Sequence, residues 1–297
     1  MSLKWIEQYA PVMYESFRTG VESVPSLIPL LFDVRGSTKA TEYAVAVGSV
    51  PIDQWDLYED KGQVAHVDVD RGYATTFTHV EKPIRFSVLK KHIDDQNIQA
   101  VNDALFGIGI SAAQRREYDA ASIFNNAFDD TFAGGDAVGL CSTAHPYGPD
   151  NSGSTHGNEG TTAFSYAAIT ATRVLMRQYV DSQGLPLPRI GRLALIPEDL
   201  EPTAIEIFDA IQKPGTANND ASAARGITYQ TWEYLTDANN WFLIDTMWSR
   251  QFLRWYNRKP LDMMQVDETT THVTYEFYMR YSYGWTDWRW LYGHAVA

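Results

Sequence analysis

A chain of 297 residues, 44% hydrophobic and 21% charged, is long enough for one large domain or two ordinary ones. Its 37 acidic against 24 basic side chains leave a formal charge of −13, which excludes a surface built to grip nucleic-acid phosphates. A single cysteine excludes an intrachain disulfide framework, so the fold stands on burial alone.

The opening MSLKWIEQYA lacks the charged-then-apolar layout of a signal peptide, and no run approaches the ~18 apolar residues of a membrane span. A soluble, cytosolic protein is therefore expected at synthesis. Residues 1–40 are punctuated by Pro11, Pro25 and Pro29. A short helix fits Ser16–Ile28, but the segment is expected to drape as an N-terminal arm rather than pack as core. From Thr41 to Leu89 the pattern turns to β: TEYAVAVGSVPIDQW and QVAHVDVDRGYATTFTHVEKPIRFSVL are rich in Val, Thr, Tyr and Phe, with YEDKGQ as a polar turn. Two strands of roughly 15 residues at about 3.3 Å each reach about 50 Å, and an isolated ribbon is marginal in water. Either it curls into a local meander or it lies on a neighbouring chain, and the residues alone allow both.

Asp94 to Asp129 reads as one long helix. Ile98, Val101, Leu105, Ile108 and Ala112 make an apolar stripe that Ala120, Phe124, Ala127 and Phe128 resume. Asp94 or Asp95 is its expected N-cap, and Gly107 and Gly109 weaken its middle. Ala133–Thr162 reads as a long loop, of the kind that is functional or mobile. Ala163–Val180 is a second helix, Arg189–Pro197 a buried strand, and Glu198–Ile211 a third helix with Pro202 in its first turn. Lys213–Gly226 is a polar loop. His272–Trp285, HVTYEFYMRYSYGW, alternates strictly: Val273, Tyr275, Phe277, Met279, Tyr281, Tyr283 and Trp285 share one face.

The candidate chemistry is thin. LCSTAHPYG (Leu140–Gly148) holds the only cysteine, a serine and a histidine. A nucleophile and base need a third, orienting group, and cysteine enzymes place Cys and His far apart in sequence, so Cys141 and His145 read as a buried thiol and a hydrogen-bonding loop residue. Zinc would need more ligands than His156 can add. The pairs Asp94/Asp95, Asp129/Asp130 and Asp267/Glu268 invite comparison with glycosidase carboxylates but lie at element boundaries, where acids cap and solvate. Gly134-Gly135 and Gly107-x-Gly109 lack the setting of a phosphate loop, and no basic stripe suits nucleic-acid readout. No catalytic, cofactor-binding or metal residue is assigned.

Three stretches instead carry a resemblance: IFNNAFDDTFAGGDAVGLCSTAHPYG (Ile123–Gly148), LIPEDLEPTAIEIF (Leu195–Phe208) and YGWTDWRWLYGH (Tyr283–His294). In order and content they resemble the major capsid proteins of tailed double-stranded-DNA bacteriophages, in particular the Mu-type major head subunit branch. The resemblance implies an α+β fold: an N-terminal arm (1–40), an extended β-hairpin loop (41–92) over the adjacent subunit, a peripheral domain with a long spine helix (93–135 and 245–297), and an axial domain (136–244). It implies hexamers and pentamers closing into an icosahedral virion shell, assembled in the host cytoplasm. That shell encloses double-stranded DNA without sequence-specific binding, membrane, cofactor or enzymatic activity. Because the chain starts almost at the arm, a separate scaffolding protein is expected, with a portal and decoration proteins as further partners. Some relatives crosslink Lys to Asn; Lys61 sits at the expected hairpin tip, but no partner is identified. The alternatives are a soluble hydrolase using Cys141 or a carboxylate pair and, more weakly, a secreted carbohydrate-binding β-protein.

Overall fold

The computed structural model describes residues 3–48, 71–95, 98–149, 151–209, 222–269 and 271–297. Helix α1 (Leu3–Glu22) leads through the short α2 (Ile28–Leu31) to β1 (Asp33–Gly36) and β2 (Thr41–Val47). Strands β3 (Arg71–Thr78) and β4 (Val80–Leu89) follow, then α3 (Lys90–Asp94) and the 28-residue α4 (Ile98–Asn125). Next come β5 (His145–Gly148), β6 (Asn151–His156), β7 (Glu159–Gly160), α5 (Tyr166–Met176) and β8 (Leu193–Ile196). A 3-10 turn leads into α6 (Glu201–Phe208), followed by β9 (Thr228–Thr231), β10 (Trp241–Ile244), α7 (Thr246–Phe252), β11 (Leu253–Glu268), β12 (His272–Trp285) and β13 (Leu291–His294).

Two sheets organise these elements. The first has the order β1-β11-β12-β4, with β1 parallel to β11 and the other pairs antiparallel. The second has the order β7-β13-β10-β8-β9. In β12 the alternation read from sequence is the burial pattern: Val273, Tyr275, Phe277, Met279 and Tyr281 are all buried. Two buried clusters form, a smaller one on the first sheet and a larger one shared by both sheets, and α4 spans them. Its first half packs Val101 and Leu105 with Met13, Phe17, Val88 and Phe277. Its second half sends Phe124 edge-on against Trp232, Phe242 and Trp290 in the larger core.

Helix α1 is a correction. Helix α1 does not drape; Met13 and Phe17 are buried against α4 and β12. Glycines make the contact close: a Cβ at Gly109 would lie 2.2 Å from the Phe17 carbonyl oxygen, and one at Gly20 2.2 Å from that of Phe106. The glycine expected only to weaken α4 is where α1 seats. Asp94 ends α3 instead of capping α4.

The expected hairpin over 41–89 divides. β2 pairs with β3 from Thr41↔Thr78 to Val47↔Arg71, but β4 leaves the ribbon to edge the first sheet, with Val88 in the core. The expected tip, Lys61 included, lies outside the described residues, as does 213–221 of the second polar loop. The long loop of 133–162 contains the β5–β6 hairpin and the edge strand β7. The closing strand β13 pairs with β10 and β7, so the chain's end belongs to the second sheet.

Candidate functional site

The reactive residues of the 140–148 stretch are held in structural contacts, although His145 Nε2 is buried without a hydrogen-bond partner among the described residues. The Cys141 thiol is buried against Gly293 and Phe128, and burial, with the nearby Glu159 carboxylate, pushes its pKa well up. The His145 ring is fully buried, stacked 4.3 Å from Trp288, with Nδ1 2.7 Å from Asp136 Oδ2. Thiol and imidazole thus face different neighbours. Ser142 and Asn158 exchange hydrogen bonds: the Ser142 N–H donates to Asn158 Oδ1 and the Asn158 N–H to the Ser142 carbonyl, both at 2.9 Å. His156 packs beyond Trp288 at 6.1 Å, and burial lowers its pKa. A nucleophile must be ionisable and reachable; Cys141 is neither.

The acidic pairs are structural where described. Hydrogen bonds from the Thr131 hydroxyl and from its N–H, the latter to Asp129 Oδ1 at 2.8 Å, lower the Asp129 pKa, and Asp130 Oδ1 accepts the Gly139 N–H at 3.1 Å. Glu268 pairs with Lys90 at 2.6 Å. Among the described residues, no three His, Cys, Asp or Glu side chains are placed to hold a metal. No described helix is long and apolar enough to cross a membrane.

What the fold does present is the root of the β2–β3 ribbon. Phe77 is buried edge-on against Tyr256 at 5.2 Å and ties the ribbon to the first sheet. His79, just after β3, bridges two hydroxyls: Nε2 lies 3.2 Å from Ser37 Oγ and Nδ1 3.0 Å from Ser282 Oγ. Ser37 Oγ gives its proton to Glu42, so it accepts from Nε2–H, and Ser282 donates to Nδ1; burial lowers the ring's pKa and favours this neutral form. The turn Gly134-Gly135 lets the ribbon sit tight, since a Cβ on Gly135 would lie 2.7 Å from the Ala74 carbonyl. Away from this root the strands carry unburied apolar side chains: Tyr43 is 66% exposed on β2 and Ile84 52% on β4. Strand β4 is also the open edge of its sheet. An exposed edge with apolar side chains calls for a partner.

Beside the root lies a cavity of about 380 Å³, walled by Tyr73, Trp248, Trp285 and Trp288 and by two arginines. Arg289 is fully engaged, donating to the Val180 and Tyr147 carbonyls and to Asp287. Arg189 is 3% exposed, stacks 3.6 Å over Trp248, and uses only Nε, toward the Arg289 carbonyl at 3.2 Å. The sequence reading missed both arginines. The D-W-R triplet Asp287-Trp288-Arg289 was their one legible signal.

A family model described as phage capsid protein matches residues 82–293, most of the chain. The chain belongs to the phage capsid protein family. The capsid protein is a structural component of the virion shell and not an enzyme, which leaves the hydrolase alternative without a site. Its fold is similar to that of a virus-like particle from Pyrococcus furiosus, with a TM-score of 0.57 at 8% identity, covering 97% of this chain and 100% of that one. It is also similar to the procapsid of bacteriophage JBD30 (TM-score 0.56, 14% identity, 99% and 76% covered). A third likeness is to the capsid of cyanophage P-SCSP1u (TM-score 0.52, 13% identity, 92% and 88% covered). A comparison with curated protein sequences finds no match. The shared architecture is the tailed-phage major capsid protein fold, with α4 as its long helix.

Proposed function

We propose that this capsid protein assembles as hexamers and pentamers into an icosahedral shell around double-stranded DNA, in the manner of the Mu-type major head subunits. The carrying observation is the β2–β3 ribbon: it is anchored at its root by Phe77 and His79 and bears the exposed Tyr43 on β2. A lone two-stranded ribbon is marginal by itself, so a neighbouring subunit is its natural support. On this reading 41–92 includes the interlocking element, 1–40 a second contact, 93–135 and 245–297 the peripheral domain, and 136–244 the axial domain. The pairing of β13 with β10 favours moving the last strand into the axial unit. A net charge of −13 suits a wall that holds DNA without immobilising it.

A portal and decoration proteins complete the assembly. One similar structure is a JBD30 capsid decorated with minor capsid protein trimers, at 14% identity over 72% of this chain. The test is deletion of residues 52–66. Sedimentation and electron microscopy should find soluble subunits that form no stable shells, and normal shells from the deletion would overturn the interlocking role.

A further inference from the structure

The face of the first sheet opposite its core gathers positive charge. Strands β11 and β12 slip register between Asn257 and Lys259, so Arg258 and Lys259 together stand against Arg280. A bulge of this kind re-aims a side chain, and like charges set opposite one another destabilise a sheet. Among the described residues, Arg258 and Lys259 make no ion pair or side-chain hydrogen bond, and the Nε atoms of Arg258 and Arg280 are both buried without a partner. Each guanidinium is thus shut in at Nε and open at its terminal nitrogens. The carboxylate of Glu81 stands 3.7 Å from Arg280 and is also bonded by the Tyr278 hydroxyl. Neighbouring carboxylates are engaged elsewhere: Glu276 with Arg85 at 2.7 Å, Glu42 with Ser37 and Lys39, and Asp262 with the Met263 N–H at 2.9 Å. Both arginines act on His79 and on Tyr278, which places their charges around one spot; after burial itself, they help keep the His79 ring neutral.

We infer that Arg258, Lys259 and Arg280 form a site for a phosphate-class oxyanion, held between the two guanidiniums with the ammonium at its rim. The inference concerns the single subunit and stands apart from the shell reading. A buried guanidinium nitrogen without an acceptor is costly, and an anion set among the three cations offsets both that cost and their mutual repulsion. Charge selects the anion. Three cations less one glutamate leave a surplus of two positive charges. A carboxylate carries one negative charge and is satisfied by a single guanidinium fork, whereas a phosphate monoester or inorganic phosphate carries nearly two near pH 7 and accepts from several sides. On a chain of net charge −13 the site is an isolated one and makes no surface that grips DNA. The same chemistry is supplied by free inorganic phosphate or by a terminal or backbone phosphate of a nucleic acid.

The test uses the unassembled full chain. Calorimetric titration with inorganic phosphate at fixed ionic strength should show one saturable site with a Kd of about 1 mM or below. Arg258→Gln and Arg280→Gln should each weaken binding by about tenfold or more, the loss of one charge-assisted contact. Arg85→Gln, which breaks the Glu276 pair on the same face, should leave it unchanged. If either arginine variant fails to fold, Lys259→Gln, at an exposed position, takes its place and should show a smaller loss. A short duplex DNA, added to the phosphate-loaded chain, separates the sources. Displacement of the phosphate assigns the site to a nucleic-acid phosphate, no displacement assigns it to the free ion, and either result supports the inference. Absence of saturable phosphate binding to the wild-type chain overturns it, as does undiminished binding by the arginine variants. Acetate binding as tightly as phosphate also overturns it, since that assigns the arginines to a carboxylate.

Discussion

Two glycines two residues apart on α4 make opposite predictions. At Gly107 a Cβ meets nothing within 4 Å, and the residue faces solvent. Gly107→Ala should therefore only remove backbone entropy from the unfolded chain and raise stability by about 0.5–1 kcal/mol. At Gly109 the same methyl would sit 2.2 Å from the Phe17 carbonyl oxygen and 2.9 Å from the Val21 nitrogen. These are backbone atoms of α1, so no side chain can swing away. Relief requires α1 to retreat by about 1 Å, and a gap of that size forfeits a quarter to a half of each contact's attraction. The contacts at risk include Phe17 on Phe277, whose rings are 4.9 Å apart, and Met13 beneath Tyr275. Overpacking costs about 1–3 kcal/mol, and the helix-propensity gain of about 1 kcal/mol offsets only part of it. Gly109→Ala should then lose up to about 2 kcal/mol, a gap of up to about 3 kcal/mol between the two variants. Urea unfolding of unassembled subunits, followed by tryptophan fluorescence, measures both. A Gly109→Ala midpoint at or above wild type would refute the close α1–α4 seat, as would equal losses in the two variants.

Burial holds His294 down to about 4, with Nδ1 accepting the Thr162 N–H at 3.2 Å, Nε2–H directed to Thr172 Oγ1 at 2.8 Å, and Trp241 stacked at 4.1 Å. Between pH ~6.5 and ~4 the unfolded chain binds a proton that the folded chain refuses, so stability is full above that window and falls by up to about 3 kcal/mol through it. His294→Phe should flatten that part of the urea-midpoint profile against pH; an unchanged slope would place the titration elsewhere. Buried Asp119 accepts from Tyr281 Oη at 2.7 Å and Arg115 at 2.5 Å and pairs with Lys82 at 3.2 Å. Asp119→Ala strands all three and should cost about 3 kcal/mol or more, against about 1 kcal/mol for Tyr281→Phe. Comparable losses in calorimetry would show that the carboxylate is not the hub of the cluster.

Where one physical rule decided the outcome, the linear chain was enough. The period of two in His272–Trp285 became the buried face of β12 from Val273 to Tyr281, because a strand with one side on a core has no other way to place its apolar residues; beyond it Ser282 is buried and Tyr283 only half-buried. The helix through Val101, Leu105 and Phe124 was legible for the same reason at a period near 3.6, and Pro202 marked the start of α6. Cys141 could be dismissed as a nucleophile before its burial was known, because nothing beside it in sequence could serve as both base and orienter. Other features depended on atoms far apart in sequence. Pro11 argued against a packed first helix, yet α1 is held by its fit over Gly109, about 90 positions away. Glu117 is buried because Ser26 and the Leu27 N–H reach its carboxylate, and Asp119 because Tyr281 and Lys82 do. Periodicity predicts no such charged residues on a buried helix face. Arg189 is the sharpest case. In sequence it is one cation at the start of a strand; only the tertiary structure lays it over the Trp248 ring in the cavity wall, near Asp287 and Asp245. Local patterning determines which face of an element is apolar. Long-range packing alone determines which polar groups are shut in, and with which partners.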